Sequence, residues 1–395
     1  MARIIAHIDL NAFFATCEEL KDPSLKNIPV IIGHSGRSGI VSTCNYKARE
    51  YGIHSGQPTF QAKKLCPNVK IVPPDYRYYQ VMSNSFFEMV KQYCRNIEVA
   101  SIDECFCDFT DVLQKVKNPI AYLRAMQNKI KAELGLPCSI GVAPTKWLAK
   151  MGSDLHKPMG LTIIRRKDIP NIIYPLPIES FWGIGKKTSP ELRKLGIATI
   201  GDLKQRLDAS DLELSKLLGK FEATIKEWVN GEGDDQVYLE YPDPKSIGNS
   251  HTLSFDSSML EEIDDSLLHL AKEVSSRAKE ARKKGYGITL TVKDTSFHLH
   301  SKATRLEEST NEWKTIYEVA KELYLLHYEH KLTIRLVGIT LTNLVDPIKE
   351  NVQMSLWNYE EYQDMDQTKL LIHELNRKLG EGTLMRSAEL KKGKK

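Results

Sequence analysis

Along residues 1–165, short apolar runs alternate with stretches of helical periodicity. Runs at 4–10, 29–33, 69–73, 97–103, 105–110 and 139–143 have the length and composition of strands, and helical patterns lie near 45–51, 76–95, 118–134 and 145–155. The order is strand, inserted segment, helix, two adjacent strands, helix, strand. It predicts an α+β unit, a ferredoxin-like sheet carrying an insertion at residues 11–74. Residues 166–232 read as all-helical. An acidic, proline-bearing stretch at 233–244, with Asp234, Asp235, Pro242 and Pro244, marks a linker. Beyond it a second βαββαβ pattern begins, with strands expected at 246–255, 286–293, 297–304 and 332–344 and helices at 260–284 and 309–328. The final residues, 346–395, are polar and end in lysines; they are expected to be flexible apart from a helix near 367–379.

The chain has 395 residues, of which 41% are hydrophobic and 27% charged. Disorder and collagen are thereby excluded, and the length suits roughly two to four domains. No apolar run approaches the roughly 18 to 20 residues of a membrane span, and the N-terminus passes straight into a strand pattern rather than a signal peptide. A cytoplasmic protein with no membrane segment is expected. The seven cysteines form no CxxC pair and read as reduced thiols, with Cys105 and Cys107 as small core residues. The net charge of +4 hides an asymmetry. Residues 1–165 carry 21 basic and 14 acidic side chains, whereas 233–244 carry none and 4. A polyanionic partner suits the first segment.

The candidate chemistry begins with Asp9, a carboxylate inside an apolar strand pattern. A buried unpaired carboxylate costs several kcal/mol, so Asp9 needs a cation, donors or an open strand end. Asp103 and Glu104 repeat the anomaly. Three carboxylates at strand ends make a hard oxygen site able to hold Mg²⁺ beside substrate phosphates; an ordinary acidic turn is the plainer alternative for the Asp-Glu pair alone. Tyr46 and Arg49, three apart on one helical face, suit phosphate oxygens, and Lys157 follows a helix end. Taken singly, each is better explained as a surface residue. Phe181-Trp182-Gly183-Ile184-Gly185-Lys186-Lys187 has the form of a helix-hairpin-helix, whose glycines turn the backbone tightly and whose amides favour a phosphate; a Gly-rich turn is the alternative. Arg277, Lys279, Arg282, Lys283 and Lys284 cluster at an expected helix end, as a DNA contact or as a solvated terminus.

Five motifs, 9–14, 42–49, 101–104 with Asp108, 157–160 and 183–185, resemble in order and spacing those of the Y-family translesion DNA polymerases, on the bacterial DNA polymerase IV and UmuC-like branch. The resemblance covers about residues 1–345. It implies a right hand with a palm (1–10 and 75–165), small fingers (11–74), a helix-hairpin-helix thumb (166–232), a linker (233–244) and a βαββαβ little finger (245–345). It implies that Asp9, Asp103, Glu104 and the Leu10 carbonyl ligate two Mg²⁺ ions, with Mn²⁺ as a substitute, and that Asp9, Asp103 and Glu104 are catalytic. Thr43, Tyr46, Arg49 and Lys157 would hold the dNTP, with Ala12 and Phe13 beside it and Phe14 as the steric gate; Phe13 and Phe14 also read as core. Gly183, Gly185, Lys186, Lys187, Arg282, Lys283 and Lys284 would contact primer-template DNA. Cys44, Cys105, Cys107 and Asn11 depart mildly from the family pattern, Asn11 standing where an acid is common.

Gln353-Met354-Ser355-Leu356-Trp357 looks like the pentapeptide by which bacterial polymerases dock on the sliding clamp, with Gln hydrogen-bonding and the apolar residues filling a pocket. The resemblance therefore implies a monomeric, low-fidelity, template-directed polymerase that accepts damaged template, because small fingers enclose the nascent pair loosely. Two other readings stand beside it. A DNA-repair scaffold with a dead palm would have lost carboxylates, and a nucleotide cyclase on a palm fold would lack a DNA-binding thumb.

Overall fold

The computed structural model describes residues 3–240 and 242–347. They form two compact units that divide between Pro242 and Asp243. The strands of the first unit are β1 (Ile5–Leu10), β2 (Val30–Gly33), β3 (Val41–Cys44), β4 (Lys70–Val72), β5 (Ile97–Val99), β6 (Glu104–Asp108), β7 (Cys138–Ala143) and β8 (Leu161–Ile163). Five of them build a sheet in the order β5-β6-β1-β7-β8. β1 runs antiparallel to both β6 and β7, and β8 lies parallel to β7. The first four strands have the ferredoxin-like order that the sequence predicts. β8 is an unforeseen addition, because three residues are too few to display a period.

Every residue of β1 is buried, so both faces of the sheet are covered. Ala6, Ile8 and Leu10 join one apolar cluster with the helices Phe13–Lys21, Tyr76–Lys91 and Pro119–Leu134. Ile5 joins another, with Trp147, Leu148 and Met151 of the helix Lys146–Leu155 and the helical residues beyond. Successive strand residues point to opposite faces. His7 and Asp9 therefore share the Ile5 face, beneath the helix Lys146–Leu155. That helix is capped by Thr145, whose side chain accepts from Leu148 N. It lies so close to β7 that only glycine fits at 141, where a Cβ would overlap the Ala149 carbonyl oxygen and the Ser153 amide nitrogen.

The insertion holds a second small sheet, β3-β2-β4, with β2 antiparallel to β3 and parallel to β4. Ile31 faces a core of its own with Val41, Ala48 and Ile53, while Val30 and Ile32 face the main cluster. β3 and the helices Phe13–Lys21 and Thr59–Leu65 were not among the expected elements. β3 is four residues long with two polar centres, and Phe13–Lys21 follows β1 without a capping side chain. The expected helix at 45–51 is the shorter Tyr46–Arg49, started by Asn45, whose side chain accepts from Ala48 N. The strand expected over 97–103 stops at Val99. Residues 100–103 turn instead, with the Ala100 and Ser101 amides donating to the Glu104 carbonyl.

Residues 166–229 contain only helical elements, as expected. Trp147 fastens them to the sheet: its indole donates to the Trp182 carbonyl at 2.9 Å and its ring lies parallel to that of Trp228.

The second unit has β9 (Ile247–Ser257), β10 (Lys284–Asp294), β11 (Leu299–Thr310) and β12 (Ile334–Val345), in the order β11-β10-β12-β9, all antiparallel. Helices Leu260–Glu280 and Trp313–His327 pack on Ile288, Leu290, Val292, Val337 and Ile339. The first of the two helices ends four residues earlier than expected, because β10 starts at Lys284. β11 runs to Thr310, past the expected 304, and delays the second helix to Trp313. It is an edge strand with exposed side chains, so it lacks the apolar alternation that would announce it. One expectation is thereby corrected: Arg282, Lys283 and Lys284 do not crown a helix. Arg282 is a turn residue at φ 53°, Lys283 pairs with Asp243 at 2.7 Å, and Lys284 begins a strand.

All seven cysteines are buried free thiols. No helix among the described residues is long and apolar enough to cross a membrane. The segment 353–357 and the helix expected near 367–379 lie outside the described residues.

Gly141→Ala is expected to lower stability by about 3 kcal/mol, the upper end of overpacking costs. The denaturant midpoint of unfolding measures it; an unchanged midpoint would contradict the close approach of helix and strand.

Candidate active site

Asp9 is the penultimate residue of β1, and Glu104, first residue of β6, stands directly opposite it in the ladder. Both side chains therefore emerge on one face, and like charges so placed repel. Helix Lys146–Leu155 answers with a cation. Lys150 Nζ lies 2.7 Å from Glu104 Oε2 and 3.1 Å from Asp9 Oδ2. Lys157, just past the helix end, donates to Asp9 Oδ1 at 2.7 Å and to Asp154 at 2.7 Å. Asp103 sits in the turn before β6; its carbonyl accepts from Leu10 N, and its carboxylate accepts from the Ser101 hydroxyl at 2.6 Å.

These contacts set the acidities. Burial works to raise the Glu104 carboxyl, but the His7 imidazole and the Lys150 ammonium outweigh it and hold the group well below the usual carboxylate range. At Asp103 the Lys150 charge also acts downward but is outweighed. Burial, with the charges of Asp9 and Glu104, pushes its carboxyl up in spite of the Ser101 hydrogen bond. Burial pulls both lysines down, yet Asp9 and Asp154 more than compensate, Glu104 adding to the effect at Lys150, so both are held above the ordinary lysine value.

One cavity of about 350 Å³ gathers every residue singled out as a metal ligand or nucleotide contact except Glu104. Its wall includes Asp9, Leu10, Ala12, Phe13, Phe14, Thr43, Tyr46, Arg49, Asp103 and Lys157, with Ser42, Ser55 and Ile102 added. Glu104 is reached through Lys150 rather than through the cavity wall. Ala12 takes a left-handed conformation, φ 48°, which turns the chain from β1 into the helix Phe13–Lys21. The ring of Phe14 is stacked on Tyr79 at 4.4 Å and meets Tyr76 edge to face, so it packs against both. Arg49 lies 4.8 Å over the Tyr46 ring. Among the described residues the buried hydroxyl of Tyr46 has no hydrogen-bond partner, and a group that can donate is thus available to an anion entering the cavity.

The donor set fits a divalent cation. Carboxylate oxygens are its hard ligands. A ligand atom from each of His7, Asp9 and Glu104 falls within 4.8 Å of the others, with His7 Nε2 lying 3.3 Å from Glu104 Oε2.

Other predicted residues lie elsewhere. Gly183, Gly185, Lys186 and Lys187 are exposed, Gly183 at φ 112° in its turn, and Arg282, Lys283 and Lys284 belong to the second unit. Sequence reasoning missed Lys150, His7 and Ser153, which meet only because a helix crosses a sheet; the His7 ring bonds Ser153 at 2.8 Å. It also missed the role of Asn11. This buried side chain accepts from Met159 N at 2.8 Å and bonds Ser139, and so ties the loop bearing Lys157 to the end of β1. A polar residue amid an apolar pattern was the available signal at both His7 and Asn11.

Residues 8–154 match the impB/mucB/samB family, residues 244–356 its C-terminal domain, and residues 166–197 the HHH motif of the same family. A protein named DNA polymerase IV from Bacillus velezensis is 36% identical over 99% of this chain and 94% of its own length. DNA polymerase IV 1 of Bacillus subtilis (strain 168) is 35% identical over the same shares. Among solved structures, a Y-family DNA polymerase chimera of Dbh and Dpo4 aligns with 87% of this chain and 99% of its own, at 27% identity and a TM-score of 0.76. An insertion ternary complex of Dbh DNA polymerase covers the same shares at a TM-score of 0.59.

Asp103→Asn is expected to raise the melting temperature of the metal-free protein at neutral pH. The folded-state carboxyl is shifted up, so its ionisation weighs against the fold as pH rises. The gain should vanish below the usual carboxylate range, where Asp103 is already protonated. Thermal melts at pH 7 and pH 3 in chelator test this; an equal gain at both would refute the electrostatic origin.

Proposed function

The chain belongs to the impB/mucB/samB family, that of the Y-family DNA polymerases, and on that premise we propose how its own residues carry out translesion synthesis. It is a DNA-directed DNA polymerase of the translesion type, joining templated dNTPs to a primer 3′-hydroxyl with low fidelity. One observation supports the assignment of residues: a single cavity joins two of the carboxylates, the proposed phosphate-binding side chains and the Phe14 ring.

In this reading Asp9, Asp103, Glu104 and the Leu10 carbonyl hold two Mg²⁺ ions, which Mn²⁺ can replace. Bound there, such ions acidify the attacking hydroxyl and neutralise departing pyrophosphate. Lys157 leaves Asp9 for the triphosphate, where Arg49 adds its planar fork and Tyr46 its unpartnered hydroxyl. Thr43 and the backbone of Ala12 and Phe13 line the same channel. Phe14, packed against Tyr79 and Tyr76, acts as the steric gate against a 2′-hydroxyl. The Leu10 amide, bonded to the Asp103 carbonyl, keeps the carboxylate-bearing turn in register.

The proposed domains are the palm at 1–10 and 75–165, fingers at 11–74, thumb at 166–232, linker at 233–244 and little finger at 245–345. Gly183, Gly185, Lys186, Lys187, Arg282, Lys283 and Lys284 are proposed to grip the primer-template backbone. Phosphate contacts of this kind position DNA without reading its sequence and weaken steeply with salt. Residues 353–357 are proposed to dock on the bacterial sliding clamp, and the enzyme to act as a cytoplasmic monomer. A scaffold with a dead palm is disfavoured by the presence of all three carboxylates. A cyclase is disfavoured by the helix-hairpin-helix match and the second βαββαβ unit.

Primer extension with Mg²⁺ and four dNTPs is expected from the wild type and not from Asp103→Asn/Glu104→Gln. Extension by both proteins would remove the proposed metal site, whereas extension by neither, with primer binding retained, would favour the scaffold. Separately, Phe14→Ala should incorporate ribonucleotides at least about tenfold more readily, the loss of a single steric contact of a few kcal/mol; unchanged sugar discrimination would sink the gate.

A further inference from the structure

Lys150 is the side chain that the proposed chemistry leaves without a task. It is only 12% exposed, and its ammonium bridges the two carboxylates that stand opposite each other across β1 and β6. A divalent ion held by Asp9 and Glu104 needs the same oxygens, at roughly 2.0 to 2.6 Å. An ammonium and a dication cannot both sit there unopposed, because their repulsion at such a separation exceeds thermal energy several-fold. A second acceptor is nearby. Asp154, one helical turn beyond Lys150, has a carboxylate oxygen 3.8 Å from Nζ and is half exposed, at the edge of the site.

We propose that Lys150 is a positioning residue that serves as a resident counter-cation. In the metal-free enzyme it holds Asp9 and Glu104 together; when a divalent cation enters, the ammonium moves off these oxygens towards Asp154. Lys150 thereby makes the cation site weaker, and more readily emptied, than its carboxylates alone would be. This inference rests on the proposed ligation by Asp9 and Glu104. It accounts for a geometry that is otherwise costly: two like charges in register on a buried face, formed before any metal arrives.

The test uses the full chain and Mn²⁺ as the probe, with free Mn²⁺ read by electron paramagnetic resonance. Lys150→Gln is expected to bind Mn²⁺ about tenfold more tightly than the wild type, the effect of removing one unit charge a few Å from the ion. In chelator it should melt below the wild type and recover when Mn²⁺ is added. Lys150→Arg, which keeps the charge, should bind as weakly as the wild type. Unchanged or weaker binding by Lys150→Gln overturns the proposal, since Lys150 would then be supporting the bound metal.

A wild-type measurement keeps the proposal falsifiable should the variant fold poorly. Reductive methylation of Lys150, followed by peptide mass spectrometry, should be slow in chelator and several-fold faster with Mn²⁺. An equal or slower rate with Mn²⁺ overturns it. Mn²⁺ binding that survives Asp9→Asn undiminished would instead overturn the ligation reading itself.

Discussion

Two carboxylates face each other across neighbouring strands on a face that the rest of the protein covers. Asp9 and Glu104 occupy paired positions of β1 and β6, and a sheet in which they were merely buried would be opposed by both desolvation and repulsion. Their compensation comes from one helix, Lys146–Leu155, laid over the strand face that carries His7 and Asp9. Its placement depends on Gly141, which lets the helix backbone approach β7, and on Trp147, which anchors its start to the helical segment beyond. The same helix delivers Lys150 to both carboxylates and ends just before Lys157. Charge balance and helix packing are therefore one constraint.

The neighbouring insertion adds a polar wall beside this balanced cluster. β3 contributes Thr43 and the short helix Tyr46–Arg49 contributes its two end residues, all at the wall that Asp9 and Asp103 share. Asn45 organises this corner: its carbonyl accepts from Ala48 N and from Val30 N, so one buried side chain both starts the helix and binds it to β2. The cavity is polar on the side of Tyr46 and Arg49 and aromatic on the side of Phe13 and Phe14. A charged, asymmetric ligand with a phosphate end and a sugar end suits that division.

The two units use the same βαββαβ succession with different strand orders. In the first, β1 lies at the centre between β6 and β7, which sets its acidic end beside that of β6. In the second, β9 lies at the edge and β10 and β12 fill the centre. The adjacency of β1 and β6 is what makes a carboxylate pair. Succession of elements thus leaves open which side chains become neighbours.

Periodicity by itself determined much of this protein. The runs at 4–10 and 139–143, the helices near 76 and 119, and the second βαββαβ pattern were legible because each buries a face at a fixed interval, and polar residues breaking such a pattern exposed Asp9 and Glu104. The ordered motifs at 9–14, 42–49, 101–104 and 157–160 carried the polymerase reading. Elements without a period escaped: β3, β8 and the far end of β11 are too short or too exposed to alternate. Tertiary structure alone decided the cation partners. Lys150 lies 141 positions from Asp9 and 46 from Glu104, and nothing in its surroundings of Ala149 and Met151 marks it as a partner of either. A charge interaction acts through space and has no period along the chain, so it becomes readable only when strand pairing and helix packing have brought its members together.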